Sequence, residues 1–371
     1  MDFELGEELV ALRDIARDLL AQRWKAESAR RALDAPPSRM PGELWAELAE
    51  MGWFGAGCSE AGGGSGLGVI AAALLAEEAG RALLPGAMTS TLAGAVALDR
   101  NGGAALKAEL LPQIIAGSLP VTLAVEEPNG TWGPDSVEVA AQAGAGGLKL
   151  SGRKIFVADG SSAGLFLVAA RVGDDVRLLP VEAGAGGVEV VPMQRIDAQD
   201  IVELRLDGVQ VGVERMLPDA GAAHDAYAVW TVLVAADLLG SAGAALAMTT
   251  AYAKERVQFG RPIGSFQAVS HRLADVQVNV EIGRSLLYAA CLALDERRGD
   301  AGALVAAAKA FIGETAVDAA EAAVQLHGGI GYTWELDVHL HLRRARANAV
   351  TAGDAGWHRE TVARHMAHCY A

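Results

Sequence analysis

The segment RVQFG sets a planar, permanently charged guanidinium, Arg256, just ahead of an aromatic ring, Phe259. Such a fork suits a diphosphate, and equally an acidic neighbour. Further along, QLHGG puts the amide Gln325 ahead of Gly328 and Gly329. Without a Cβ the backbone there can approach a ribose or phosphate closely, or simply turn. A second amide, Gln267, follows in GSFQAV. The carboxylate Asp237 lies in the apolar run LVAADLLG, a setting for a general base or for a buried polar contact. His339-Leu340-His341 and the pair His365 and His368 lack a third ligand at metal-binding spacing, so they read as a solvated helix face. Arg343, Arg344 and Arg346 read as a phosphate contact or an exposed basic turn.

Such groups need folded elements to hold them. From Phe3 to about Arg31, apolar side chains recur at helical spacing (Leu5, Leu9, Leu12, Ile15, Ala16, Leu19, Leu20), which predicts a helix with one buried face. Further helices are expected at Pro41 to Met51, Gly66 to Ala82 and Leu92 to Ile115, separated by breaks such as AGGGSG and LLPG. Between about Leu119 and Leu217 short β-favouring runs predict an antiparallel β domain, barrel or sandwich. Beyond Pro218-Asp219 the helical period returns over Ala222 to Gln258, Ser265 to Arg298, Ala301 to Leu326 and Glu335 to the end. The second of these would be roughly 50 Å long, as in a helix bundle. The expected domains are 1–118, 119–217 and 218–371.

With 371 residues, 51% of them hydrophobic, the chain should build two or three packed units. Its 46 acidic against 31 basic side chains, a net charge of −15, argue against nucleic acid or an anionic membrane as main partner. Cys58, Cys291 and Cys369 are odd in number and widely spaced, which fits reduced thiols in a cytoplasm rather than disulfides or a zinc site. The opening MDFELGEELVALRD is acidic and amphipathic, unlike a secretory signal, and no run reads as long and apolar enough to span a bilayer.

The motifs ERVQFGRPIGSFQAVSHRLADV and QLHGGIGYTWE, with GWFGAGCSEAGGGSGLG, AVEEPNG and GRKIFVADG in their places, resemble the acyl-CoA dehydrogenase family over essentially the whole chain. The resemblance implies an α+β fold: an N-terminal α-helical domain, a middle antiparallel β-barrel domain and a C-terminal four-helix bundle. It implies a tetramer, a dimer of dimers, with FAD lying between two subunits and an acyl-CoA thioester as substrate. A carboxylate base takes the α-proton while the β-hydrogen leaves as hydride, and nearby donors hold the developing enolate charge. Electrons then pass to an electron-transfer flavoprotein.

By that resemblance, Arg256, Phe259, Gln267, Gln325, Gly328 and Gly329 reach the FAD of the adjacent subunit, Arg256 at the diphosphate and Phe259 at the adenine end. This neighbour-facing set is complete. The set around the subunit's own flavin departs from the family. Where a Thr or Ser hydroxyl before Glu-Pro meets the flavin stands Glu126, and a carboxylate beside an electron-rich ring is unfavourable. The family's Trp-x-Thr becomes Phe156 and Ala158, which keeps a stacking ring and loses a donor. The family's Gly-Ser-Asp stretch is not recognisable in NGTWGPDS.

The base is also missing from its usual places. The family segment reading approximately Ile-Tyr-Glu-Gly-Thr corresponds to Val350, Thr351, Ala352, Gly353 and Asp354, and the second known position falls near Trp230. Asp237 lies about 10 Å further along the same helix face and could stand in as a relocated base, or pair with an Arg in the bundle. The expected role is therefore a subunit that completes the FAD site of a catalytic partner, as in the paired-subunit enzymes used on bulky steroid-derived CoA thioesters. The alternatives are a self-sufficient homotetramer with Asp237 as base, and a non-catalytic protein that binds an acyl thioester or another protein.

Overall fold

The computed structural model describes residues 5–34, 37, 39–144 and 147–370, so Phe3, where the first helix was expected to begin, lies outside them. The helices are α1 (Glu7–Arg23), α2 (Ala26–Asp34), α3 (Gly42–Glu50), α4 (Val69–Arg81), α5 (Ala87–Asn101), α6 (Ala104–Ile115), α7 (Ala222–Glu255), α8 (Gln267–Asp295), α9 (Ala301–His327), α10 (Val338–Val350) and α11 (Ala355–Tyr370). The strands are β1 (Val121–Ala124), β2 (Ala141–Gly144), β3 (Gly147–Ala158), β4 (Leu165–Val172), β5 (Asp175–Glu182), β6 (Val188–Pro192), β7 (Ile201–Val211), β8 (Val257–Gln258) and β9 (Arg261–Pro262). Three expected helices are each broken in two. The first is interrupted where Trp24 turns extended (φ −123°, ψ 93°). The Leu92–Ile115 helix parts at Gly102 and Gly103, both extended. The last parts at Thr351–Asp354, where Ala352 (φ 58°) and Gly353 (φ 100°) leave helical space.

The chain divides into two compact units. One comprises Met1–Arg31, Ala73–Leu84 and Val234–Ala371 and is helical apart from a short hairpin. In it α9 packs against α8, α10 and α11. Here α4 and α7 cross at very short range. A Cβ added to Gly240 would lie 1.8 Å from the carbonyl oxygen of Glu77, and one added to Gly80 would lie 2.0 Å from that of Asp237. Only glycine permits such backbone contact.

The other unit comprises Ala32–Ala72 and Pro85–Leu233 and contains the β domain. Its sheets have the orders β1-β4-β5 and β2-β3-β7-β6 and share one apolar core, built from Phe166, Val168 and Leu179 of the first and Leu150, Val202 and Leu204 of the second. A bridge between Ala140 and Arg171 links the sheets on one side, giving a partly closed barrel. All ladders are antiparallel except β1 with β4, which run parallel from Val121↔Leu165 to Ala124↔Val168. A parallel pair needs a long crossover, here the chain through β2 and β3.

One sequence expectation is corrected by length and composition: α7 contains an 18-residue window of mean hydropathy 1.7, enough to cross a membrane on those criteria. Of that window 83% is buried inside the protein, as in a helix that is apolar all round because it serves as core.

Candidate functional site

In the helical unit, α7 ends where the Arg256 N–H bonds the Tyr252 carbonyl at 2.8 Å, and a two-stranded hairpin follows. Its tip, Phe259 (φ 53°) and Gly260 (φ 80°), has two successive residues at positive φ, the conformation that a tight two-residue hairpin requires. Phe259 is 92% exposed, and its ring stands edge-to-face with that of Phe266 at 6.1 Å between centroids. Arg256 is exposed, and among the described residues it has no ion pair or side-chain hydrogen bond. Among the described residues, then, no acidic partner explains Arg256 as a structural residue.

The second motif meets the first through a ring stack. Tyr252 and His327 lie 4.3 Å apart and nearly parallel, which ties the end of α7 to the end of α9. Directly after His327, Gly328 turns the chain with φ 65° and ψ −143°, a region open to glycine alone. A Cβ on Gly328 or Gly329 would meet nothing within 4 Å. Gln267 and Gln325 are exposed as well. An exposed guanidinium, a projecting aromatic ring, two exposed amides and an open glycine backbone offer charge, a stacking surface and close backbone approach to a ligand that carries a diphosphate and an aromatic base.

The segment that the sequence reading matched to a base position carries Ala352 in the same unit. Ala352 is buried, and its carbonyl accepts from His358 Nε2 at 2.9 Å. Lys309 Nζ donates to the carbonyls of Ala349 (2.9 Å) and Gly353 (3.0 Å), clamping the strained turn from both sides. Burial pushes Lys309 down to about 7 and, together with the Lys309 charge, His358 down to about 4. Trp230, on the part of α7 that belongs to the other unit, is half-buried.

Asp237 is buried and both of its oxygens are committed. Arg344 Nη1 donates to Oδ2 at 2.7 Å and Asn348 Nδ2 to Oδ1 at 2.7 Å, while Arg344 Nη2 reaches the Leu84 carbonyl at 2.9 Å. Of the two sequence readings for Asp237, this geometry matches the polar contact with an Arg. The arginine run is accordingly not one exposed turn: Arg344 is buried, Arg343 lies 5.9 Å over the Trp334 ring and Arg346 pairs with Glu321. Nor do His339 and His341 sit on a solvated face. Both are buried, and His341 Nδ1 lies 2.9 Å from Ser241 Oγ, with burial pushing the ring down to about 3. Among the described residues no cluster suits a metal ion.

In the β-containing unit, Lys154 and Glu127 form a buried ion pair at 2.5 Å. Glu127 also accepts from the Glu138 and Val139 N–H groups, and Lys154 Nζ donates to the Val125 carbonyl at 3.1 Å. Burial lowers Lys154, with Glu127 opposing. This pair fixes the end of β1 against β3. One residue before Glu127, the half-buried Glu126 accepts from Tyr227 Oη at 2.7 Å and from the Gly133 N–H at 3.3 Å. Burial pushes Glu126 up to about 7 against those two bonds. On β3 the register breaks between Lys154 and Val157, and Phe156 sits in the break at φ 54° with 54% of its surface exposed. The ring that could stack on a flavin is therefore presented, whereas Ala158 supplies no donor. Nothing in the sequence spacing linked Tyr227 to Glu126.

Residues 6–118 match the family description "Acyl-CoA dehydrogenase, N-terminal domain" and residues 227–367 "Acyl-CoA dehydrogenase, C-terminal domain". The acyl-CoA dehydrogenase IpdE2 of Mycobacterium tuberculosis is 32% identical over 349 residues, 92% of each chain. A chain of the Tcur3481-Tcur3483 steroid ACAD G363A variant superposes with a TM-score of 0.91 at 32% identity, covering 99% of both. A chain of the ChsE4-ChsE5 complex from Mycobacterium tuberculosis gives the same TM-score at 29% identity, again over 99% of both.

Proposed function

Because the chain belongs to the acyl-CoA dehydrogenase family, a family of FAD-dependent oxidoreductases, we propose that it is one subunit of a heteromeric acyl-CoA dehydrogenase and completes the FAD site of a catalytic partner. The observation that carries this reading is Arg256: exposed, without an acidic partner among the described residues, and tied to the open Gly328–Gly329 turn through the Tyr252–His327 stack. The likeness to a chain of the ChsE4-ChsE5 complex supports a second, unlike subunit, and the likeness to a steroid ACAD chain favours a bulky acyl group.

Bound FAD supplies a two-electron acceptor for oxidation of an acyl-CoA to its trans-2-enoyl form. Arg256 would neutralise the FAD diphosphate, Phe259 would cover its adenine end, and the glycine pair would let the backbone approach. The proton-abstracting glutamate comes from the partner, since Ala352 and Trp230 occupy the two base positions and Asp237 is held by Arg344 and Asn348. An electron-transfer flavoprotein takes the electrons onward. A cytoplasmic setting fits the free, buried thiols of Cys58 and Cys291, both of which burial makes hard to ionise.

Flavin content tests the reading. The chain purified alone at about pH 8 should be colourless, and co-expressed with an acyl-CoA dehydrogenase chain that carries a glutamate at either base position it should hold about one FAD per unlike pair. One FAD per chain without a partner at that pH overturns it.

A further inference from the structure

We propose that Glu126, held by Tyr227, governs entry of the flavin ring into this chain's own ring pocket, admitting it when the carboxyl is protonated and refusing it when charged. The proposal rests on the reading above and names the group that makes this chain's own pocket depend on pH.

The argument starts from the backbone. The Ile155 N–H donates to the Glu126 carbonyl at 2.8 Å, which lays Glu126 beside the β3 bulge that carries Phe156. A bulky ring held at positive φ and left half in water is a strained arrangement, and strain of this kind collects where a ligand is received. Beside this ring stands a half-buried carboxyl that accepts from a phenol, Tyr227, and from one backbone amide, Gly133. The nearest cation, Lys154, is committed to Glu127 at 2.5 Å. Of the other ionisable groups on the elements packed here, Asp135 on the turn after Gly133 and His224 one turn before Tyr227 pair with each other at 2.8 Å and are exposed, Asp225 pairs with Arg100, and Arg153 lies 3.7 Å from Glu203.

An ionised carboxylate offers a ring only acceptors and a negative charge, whereas the protonated form offers one donor. Burial places the change between them at about 7, with Tyr227, Gly133 and Lys154 pulling down and Glu127 pushing up. Both forms are therefore accessible near neutrality.

The test titrates FAD into the purified chain and follows quenching of flavin fluorescence and the shift of its visible band. One proton lost near pH 7 predicts affinity about 10-fold weaker at about pH 8 than at about pH 6. Glu126→Gln should bind equally at both, as tightly as the wild type does at the lower pH, and Glu126→Thr, a smaller neutral group, should behave alike should the amide fail to fold. Tyr227→Phe should move the midpoint. Wild-type binding that ignores pH, a pH loss that survives in Glu126→Gln and Glu126→Thr, or no binding by any of these proteins overturns the proposal. Arg256→Ala is read in the co-expressed assembly, because Arg256 serves the partner's flavin. Full FAD content of that assembly beside a pH-dependent wild-type chain would sink the FAD-completing reading and leave the Glu126 proposal standing.

Discussion

Arg344 donates to Asp237 at 2.7 Å, and the two side chains are only 3% and 6% exposed. Removing one partner of a buried ion pair strands the other charge, which costs about 3–5 kcal/mol. Asp237→Asn should lose roughly that much stability in chemical denaturation, and adding Arg344→Met should restore most of it. If Asp237→Asn kept wild-type stability and abolished turnover in the assembled enzyme, Asp237 would be the base after all.

Lys309 sets a pH dependence of stability. Its folded value of about 7 lies below the ordinary 10.5, so between those limits the unfolded chain binds more protons. Stability should therefore rise with pH across that window and be lost as pH falls through about 7, by up to about 1.4 kcal/mol per pH unit. Urea midpoints on either side of the window measure it. Lys309→Met should flatten the slope, and an unchanged slope would mean that another group produces it.

The α4–α7 crossing should tolerate no side chain at Gly240. Its added Cβ would meet the Glu77 backbone rather than a movable side chain, so Gly240→Ala should destabilise by about 3 kcal/mol or more. Thermal melting reads this directly, and an unaltered melting point would mean that the two helices can separate without penalty.

Gly329→Ala and Arg256→Ala make the opposite prediction. A Cβ at Gly329 meets nothing of its own chain, and Arg256 has no partner among the described residues, so both variants should melt like the wild type. Each should lower the FAD content of the co-expressed assembly, Arg256→Ala by at least about 10-fold in affinity, as expected for a lost charge-assisted contact. Full flavin content in both would remove this face from the cofactor site.

Helices α3, α4, α7, α8 and α9 were legible from apolar spacing, and so was the β character of the middle segment, because both patterns are local and repeat along the chain. The breaks at Trp24 and at Thr351–Asp354 were not, since each depends on what holds the turn. Lys309, 40 and 44 positions away, holds the Ala349 and Gly353 carbonyls on either side of Ala352, and His358 holds the Ala352 carbonyl itself. The buried state of His339, His341 and Arg344 escaped notice for a similar reason: a polar residue type suggests solvent unless its partner can be seen.

For the candidate site, RVQFG and QLHGG by themselves determined the residue types available for a diphosphate, because the chemistry of a guanidinium or a glycine travels with the residue. The tertiary structure decided what each polar group is occupied with. Asp237 meets Arg344 across 107 positions, and Glu126 meets Tyr227 across 101. Pairings over such distances follow from how helices and sheets pack, and packing turned one carboxylate into a buried ion-pair partner and the other into a group that titrates near neutrality.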